Sequence, residues 1–179
     1  MKKRFITLVV CALGAAMALA LTGCGASLDR DITIQGMTVS VPSNWAEAPG
    51  ENNDENHGDA WYTDVDEDND ADEFNAIYLS YKKAGVTDKS TAREALEAKR
   101  AALEGEYAVA NWDIGDSSEQ VIDGAQVTTY EYSFEKTIDH VTKKYEYKTA
   151  YVYAPTMHYE IQVYGAKASI NDIVGSIEL

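Results

Sequence analysis

The 179-residue sequence lacks positive charge: 15 Lys+Arg stand against 30 Asp+Glu, a formal net charge of −15. A nucleic-acid binder needs a basic face to neutralise phosphates, so this balance argues against that class. Prolines number only three and there is no low-complexity tract, which argues against a disordered or fibrous chain. Catalytic signatures are missing too: there is no Gly-x-Ser-x-Gly elbow, no His-Glu-x-x-His and no glycine-rich phosphate loop. The three histidines, His57, His140 and His158, are scattered. Only His57 has a close carboxylate neighbour in sequence, Asp59, and two ligands do not close a metal site. These absences point away from an enzyme. A hydrolase with paired carboxylates stays open only because such pairs carry no strong sequence mark.

Cysteine is equally scarce, at two residues, and their positions are informative. Met1-Lys2-Lys3-Arg4 is a basic start, and Phe5 to Leu21 is an apolar run interrupted only by Thr7 and Gly14. That pattern predicts a signal peptide over residues 1–23. Its exit, Leu21-Thr22-Gly23-Cys24, closely resembles the lipobox of bacterial lipoproteins. The resemblance implies that Cys24 becomes the first residue of the mature chain and carries the lipid. Cys11 would be discarded, leaving no disulfide and no catalytic thiol, so stability must come from packing. Loss of three cations and no anions would leave 12 basic against 30 acidic residues, a net −18. Residues 24–30 then read as the lipidated cysteine and a short tether, and residues 31–179 as one domain. The expected location is extracytoplasmic, anchored to the cell membrane through Cys24, or to the outer membrane where the envelope has two.

Within residues 31–179 the hydrophobic period is mostly two. Asp31–Ile34 and Met37–Val41 alternate around Gln35-Gly36 as a hairpin ended by Pro42, with Trp45 plugging the core behind it. Strands are expected at 60–65, 74–82, 107–115, 120–122, 125–134, 141–153 and 158–164, with Asp123-Gly124 as a turn. One long helix is expected, opened by a capping box at Thr91/Glu94 and closed by Gly105 as the C′ residue. Its apolar stripe reads Ala92, Ala95, Leu96, Ala102 and Leu103, suited to close packing on a sheet. Ser169 could cap a short helix through Val174. The fold class expected is therefore α+β: a mostly antiparallel twisted sheet packed by one long helix and a short C-terminal helix. Gly36-x-x-Val39-x-Val41-Pro42-x-x-Trp45, with this order of elements, resembles the PsbP/Mog/DcrB-like domains. Members of that group include photosystem accessory subunits, a Ran-GTPase partner and bacterial lipoproteins. The resemblance implies a non-catalytic binding or assembly module for a protein or peptide partner.

Two features could carry binding chemistry of another kind. The acidic segment 64–73 places Asp64, Asp66, Asp68 and Asp70 in a loop whose first three carboxylates have the one-three-five spacing of a calcium site. Against it, Asn69 stands where such loops turn on glycine, and Asn75 stands where a bidentate carboxylate is needed. The same charges also suit a solvated loop that blunts a sheet edge. Eight of the twelve tyrosines lie between Tyr130 and Tyr164. Tyr145, Tyr147, Tyr151 and Tyr153 share a parity, so an unbroken strand puts them on one face. With Trp61 they could form a wall that stacks a small ligand; alternatively the helix covers them as core.

Overall fold

The computed structural model describes residues 26–65, 74–85 and 91–179. Among them the chain order is β1 (Arg30–Ile34), β2 (Met37–Val41), β3 (Ala46–Pro49), β4 (His57–Thr63), β5 (Ala76–Lys83) and α1 (Ala92–Glu106). It continues with β6 (Ala108–Ile122), β7 (Ala125–Ile138), β8 (Val141–Tyr153), β9 (Met157–Tyr164) and α2 (Ile170–Gly175). Strands β3 to β9 form one sheet in the order β3-β4-β5-β9-β8-β7-β6, every neighbour antiparallel. Strands β1 and β2 form a separate hairpin, tied to the C-terminal segment by the bridge Thr38↔Glu178. The expected α+β class holds.

Three two-residue turns shape this layout. Gln35-Gly36, Asp123-Gly124 and Asp139-His140 all have positive φ at both positions, as tight turns between right-twisted strands require. The third contains no glycine, with His140 at φ 67°. Because that turn has no glycine signal, sequence reasoning stops β7 at Phe134, although it pairs on to Ile138.

Strand β6 also differs from expectation, being one strand of 15 residues instead of two. Two bulges, between Ala110 and Asp113 and between Ile114 and Ser117, break its alternation without breaking its pairing to β7. Strand β3 was not anticipated, because its four residues are all exposed and carry no alternation.

The sheet has a core on each face. One face buries Ile77, Leu79, Val127, Val152, Ile161 and Val163 against Met37, Val39, Trp45, Ile173 and Ile177 of the hairpin and C-terminal segment. The other buries Tyr130, Tyr132, Phe134 and Tyr151 beneath Ala92 and Leu96 of α1. The Thr91/Glu94 capping box forms as expected, with both reciprocal bonds present. The helix end does not follow expectation: it runs through Gly105 to Glu106, and Tyr107 closes it by donating its N–H to Leu103 O. The stripe also shifts. Ala102 is exposed, and Lys99 takes the inward position between Leu96 and Leu103.

Residues 26–30 are docked rather than free. Ala26 N donates to Lys167 O at 2.5 Å, Leu28 packs on the core, and Asp29 Oδ1 accepts the Ser43 N–H at 2.8 Å.

Candidate functional site

Period-two alternation along β8 puts Tyr145, Tyr147, Thr149, Tyr151 and Tyr153 on one face. Register then brings partners from the neighbouring strands. Tyr132 and Phe134 of β7 lie opposite Tyr147 and Tyr145, Tyr164 of β9 lies opposite Tyr147, and Trp61 of β4 lies opposite Tyr78 of β5. The rings make an almost continuous strip across the sheet. Centroids are 4.8 Å apart for Trp61–Tyr78, 5.3 Å for Trp61–Tyr164, 4.9 Å for Tyr164–Tyr147 and 5.6 Å for Tyr147–Tyr132. Trp112 of β6 completes it, stacked on Tyr132 at 5.2 Å and on Phe134 at 5.0 Å. Such spacings lie within the favourable range for aromatic pairs.

Helix α1 divides this strip. Beneath it, Tyr151 is only 5% exposed and its hydroxyl has no hydrogen-bond partner among the described residues. Gln162 Nε2 donates to the Tyr132 hydroxyl at 3.3 Å. Lys99 reaches down from the helix to the Glu160 carboxylate and to Gln162 Oε1. Burial holds the Tyr132 and Tyr151 phenols above their ordinary range and lifts Tyr147 to about 12. Beyond the helix, Trp61, Tyr78, Tyr147 and Tyr164 stay half-exposed, and Phe74 is exposed beside them, 5.7 Å from Tyr164.

The expected face is thus real as a face, but its members have different surroundings. Trp61 and Tyr147 meet through Tyr164. Tyr151 sits in the core. Tyr145 stacks on Phe134 at 5.7 Å and takes the Lys136 ammonium at 4.7 Å from its ring. Tyr153 packs on His158 at 4.5 Å, at the far end of β8. There it lines a cleft of about 920 Å³ with Lys83, Arg93, Glu119 and Tyr130. Tyr78, Tyr164 and Phe74 escaped sequence reasoning because they come from separate strands whose pairing order is not written locally. Lys99 also escaped it: 92, 96, 99 and 103 share one helical face, but a lysine there reads as solvent-facing until its partner on β9 is known.

Of the acidic segment, Asp66, Asp68 and Asp70 lie outside the described residues. Asp64 is described: its side chain is 3% exposed and its carboxylate meets Lys167 Nζ at 2.6 Å. Among the described residues no group of three or more His, Cys, Asp or Glu is arranged to hold a metal ion. His57 does not pair with Asp59. Its Nδ1 lies 3.2 Å from the Asp54 carboxylate, which also accepts the N–H groups of Asn56 and His57 at 2.7 and 2.9 Å. Those donors hold the Asp54 carboxyl below its ordinary value. Cys24 lies outside the described residues, two positions before Ala26.

A second surface lies at the sheet margin. Among the described residues, strand β6 has β7 on one side and no strand on the other. The Asp123-Gly124 turn makes Ile122 and Ala125 a hydrogen-bonded pair, so Ile122, Gln120 and Ser118 point their backbone groups at β7. Ser117, Glu119 and Val121 therefore turn their N–H and C=O groups outward, and Val121 is 74% exposed. Beyond the bulges this segment is regular, and the strand carries Asp113, Asp116 and Glu119 but no basic residue.

No family model matches the chain, and no curated protein matches it. Among solved structures it is similar to the solution structure of cyanobacterial PsbP (CyanoP) from Synechocystis sp. PCC 6803. The TM-score is 0.59 at 12% identity, over 89% of this chain and 98% of that one. At such low identity the likeness speaks for architecture alone, and on that architecture the chain has the PsbP-like fold.

Proposed function

We propose that the protein is an extracytoplasmic lipoprotein, anchored through lipid on Cys24, whose domain is a non-catalytic binding module for a protein or peptide partner. The leader and lipobox support the anchor and the location at the cell membrane, or at the outer membrane of a two-membrane envelope. The PsbP-like architecture supports a module that binds rather than transforms.

The observation that carries the partner reading is the open margin of β6. Three residues present strand-forming N–H and C=O groups, with an exposed Val121 as an apolar contact. An extended peptide added there gains main-chain hydrogen bonds. The acidic side chains select for a basic segment and set like charges against each other in a second copy of this strand. The partner is therefore an extended, basic stretch of another protein.

Glu119→Pro tests this. The Glu119 N–H points away from β7, so proline removes the outward donor without costing a sheet hydrogen bond. The wild-type domain should retain a reproducible protein from envelope extracts. Glu119→Pro, with an unchanged circular dichroism spectrum and melting point, should lose it. Equal recovery by both forms would remove the edge from the argument.

A further inference from the structure

The docking of residues 26–30 changes how the anchor constrains the domain. Ala26 is fixed to Lys167 O, and Cys24 is two residues away in sequence. Two residues span at most ~7 Å even when fully extended. Whatever surface surrounds Ala26 is therefore held within one side-chain length of the lipid. From here the reasoning rests on the lipoprotein reading above.

That surface can be traced bond by bond. Lys167 N and Ala166 N both donate to Asn75 Oδ1 at 3.1 Å, and Asp64 N donates to Asn75 O at 3.1 Å. Asn75 follows Phe74, and Asp64 precedes Val65. Phe74 is 53% exposed and Val65 59%. The Phe74 ring meets Tyr164 at 5.7 Å and Trp61 at 6.3 Å. The end of the sheet where β4 and β9 finish and β5 begins thus joins two exposed apolar side chains to half-exposed tryptophan and tyrosine. The lipidated chain enters at this same end, linked to Asn75 and so to Phe74 through Lys167, from the face of the sheet on which Ala26 and Leu28 pack.

Trp and Tyr rings concentrate at the headgroup level of bilayers, where an apolar body and a polar tip are both satisfied. We infer that this cluster, Trp61, Val65, Phe74 and Tyr164, is the membrane-facing surface of the domain, seated in the headgroup layer beside the acylated cysteine. The chain as a whole carries 30 acidic against 15 basic residues. Anionic lipids repel this excess, so contact deepens as divalent cations or salt screen it. The aromatic end then faces the bilayer while the open margin of β6, at the opposite side of the sheet, stays clear for a partner.

The test uses the mature acylated protein in phosphatidylcholine–phosphatidylglycerol vesicles whose lipids carry bromine near the glycerol end of the acyl chain. Bromine quenches nearby tryptophan. Trp45 is core and Trp112 is stacked on Tyr132 and Phe134 at the β6 end of the aromatic strip, away from the entry point, so the quenching should belong to Trp61. It should be lost in Trp61→Phe, return when Phe74→Trp is added, and increase with millimolar magnesium. Quenching that Trp61→Phe leaves unchanged, or none in protein that floats with vesicles, overturns the orientation while leaving the anchor standing. Protein without acyl mass on Cys24 overturns the lipoprotein reading and this inference together. If Trp61 emission responds to polylysine but not to brominated lipid, the surface belongs to a basic protein partner and the membrane assignment fails.

Discussion

Replacing Lys99 should cost far more than losing an ordinary surface lysine. Its side chain is 25% exposed and that of Glu160 21%, so the pair sits where water screens it poorly. At an effective dielectric of about 20, contact attraction is roughly 4 kcal/mol, and withdrawing both charges from water offsets much of it. A net coupling of about 1–2 kcal/mol remains. Lys99→Ala leaves Glu160 beside Gln162 without its cation and strips an aliphatic stem from the Tyr132–Tyr151 core. Together these should lower stability by about 2–3 kcal/mol. For a domain of this size that is a fall of roughly 4–12 °C in melting temperature. Lys99→Met restores the stem but not the charge, and combining it with Glu160→Gln removes the stranded carboxylate. The double variant should therefore be less destabilised than the sum of its two single changes. Urea unfolding followed by tryptophan emission of all four members of the cycle gives the coupling directly. A coupling below about 0.3 kcal/mol would refute the reasoning, because the contact would then be an incidental surface pair.

Gly105 lies inside α1, and a methyl group there would meet nothing within 4 Å. Gly105→Ala should add about 0.5–1 kcal/mol, and a thermal melt showing destabilisation would mean that the helix ends earlier than described. The Tyr151 hydroxyl is buried without a partner among the described residues, so Tyr151→Phe should be neutral or slightly stabilising. Tyr151→Ala should cost about 3–5 kcal/mol by leaving a cavity, and equal midpoints for both variants would remove Tyr151 from the core. Burial, aided by the Glu47 carboxylate, raises Tyr62 to about 12, and burial raises Tyr147 to about 12. Both phenols stabilise the fold while neutral, so this contribution is full below pH 10 and is lost as pH rises from 10 to 12. Phenolate absorbance should therefore rise in two steps, the second coinciding with unfolding. A single wave near pH 10 with the fold intact would contradict the burial.

The parts of this fold that could be read in advance are those governed by neighbours in sequence. The Thr91/Glu94 box, the Asp123-Gly124 turn and the alternation of β8 each depend on a few adjacent residues, and each stands where expected. Reading failed where a tertiary partner decides. Gly105 looks like a helix terminator, but Tyr107 supplies the closing N–H instead. Lys99 looks like a solvent residue until Glu160 appears opposite. The tyrosine face was visible as a period, yet nothing local distinguishes Tyr151, roofed by α1, from Tyr147, left half-open. That difference depends on where a helix between β5 and β6 comes to rest. The docking of residues 26–30 was hidden for the same reason, since its acceptors lie at Lys167 and Ser43.

The position of β9 has a consequence for how the chain assembles. Strands β3-β4-β5 and β6-β7-β8-β9 are two meanders in which each strand pairs with its predecessor in sequence, the cheapest contacts to form. Among the described strands only the β5–β9 seam, running from Ala76↔Tyr164 to Lys83↔Met157, pairs one with the other, and it closes across all of α1, β6, β7 and β8. The seam is the slow, non-local step, whereas each meander can form early and alone. Changes at Ile77 or Val163 should then slow folding, and changes in the β7–β8 turn should act mainly on unfolding. A chain whose two halves meet along one seam also has a natural place to open under force: a pull between the β3 edge and the β6 edge loads that seam.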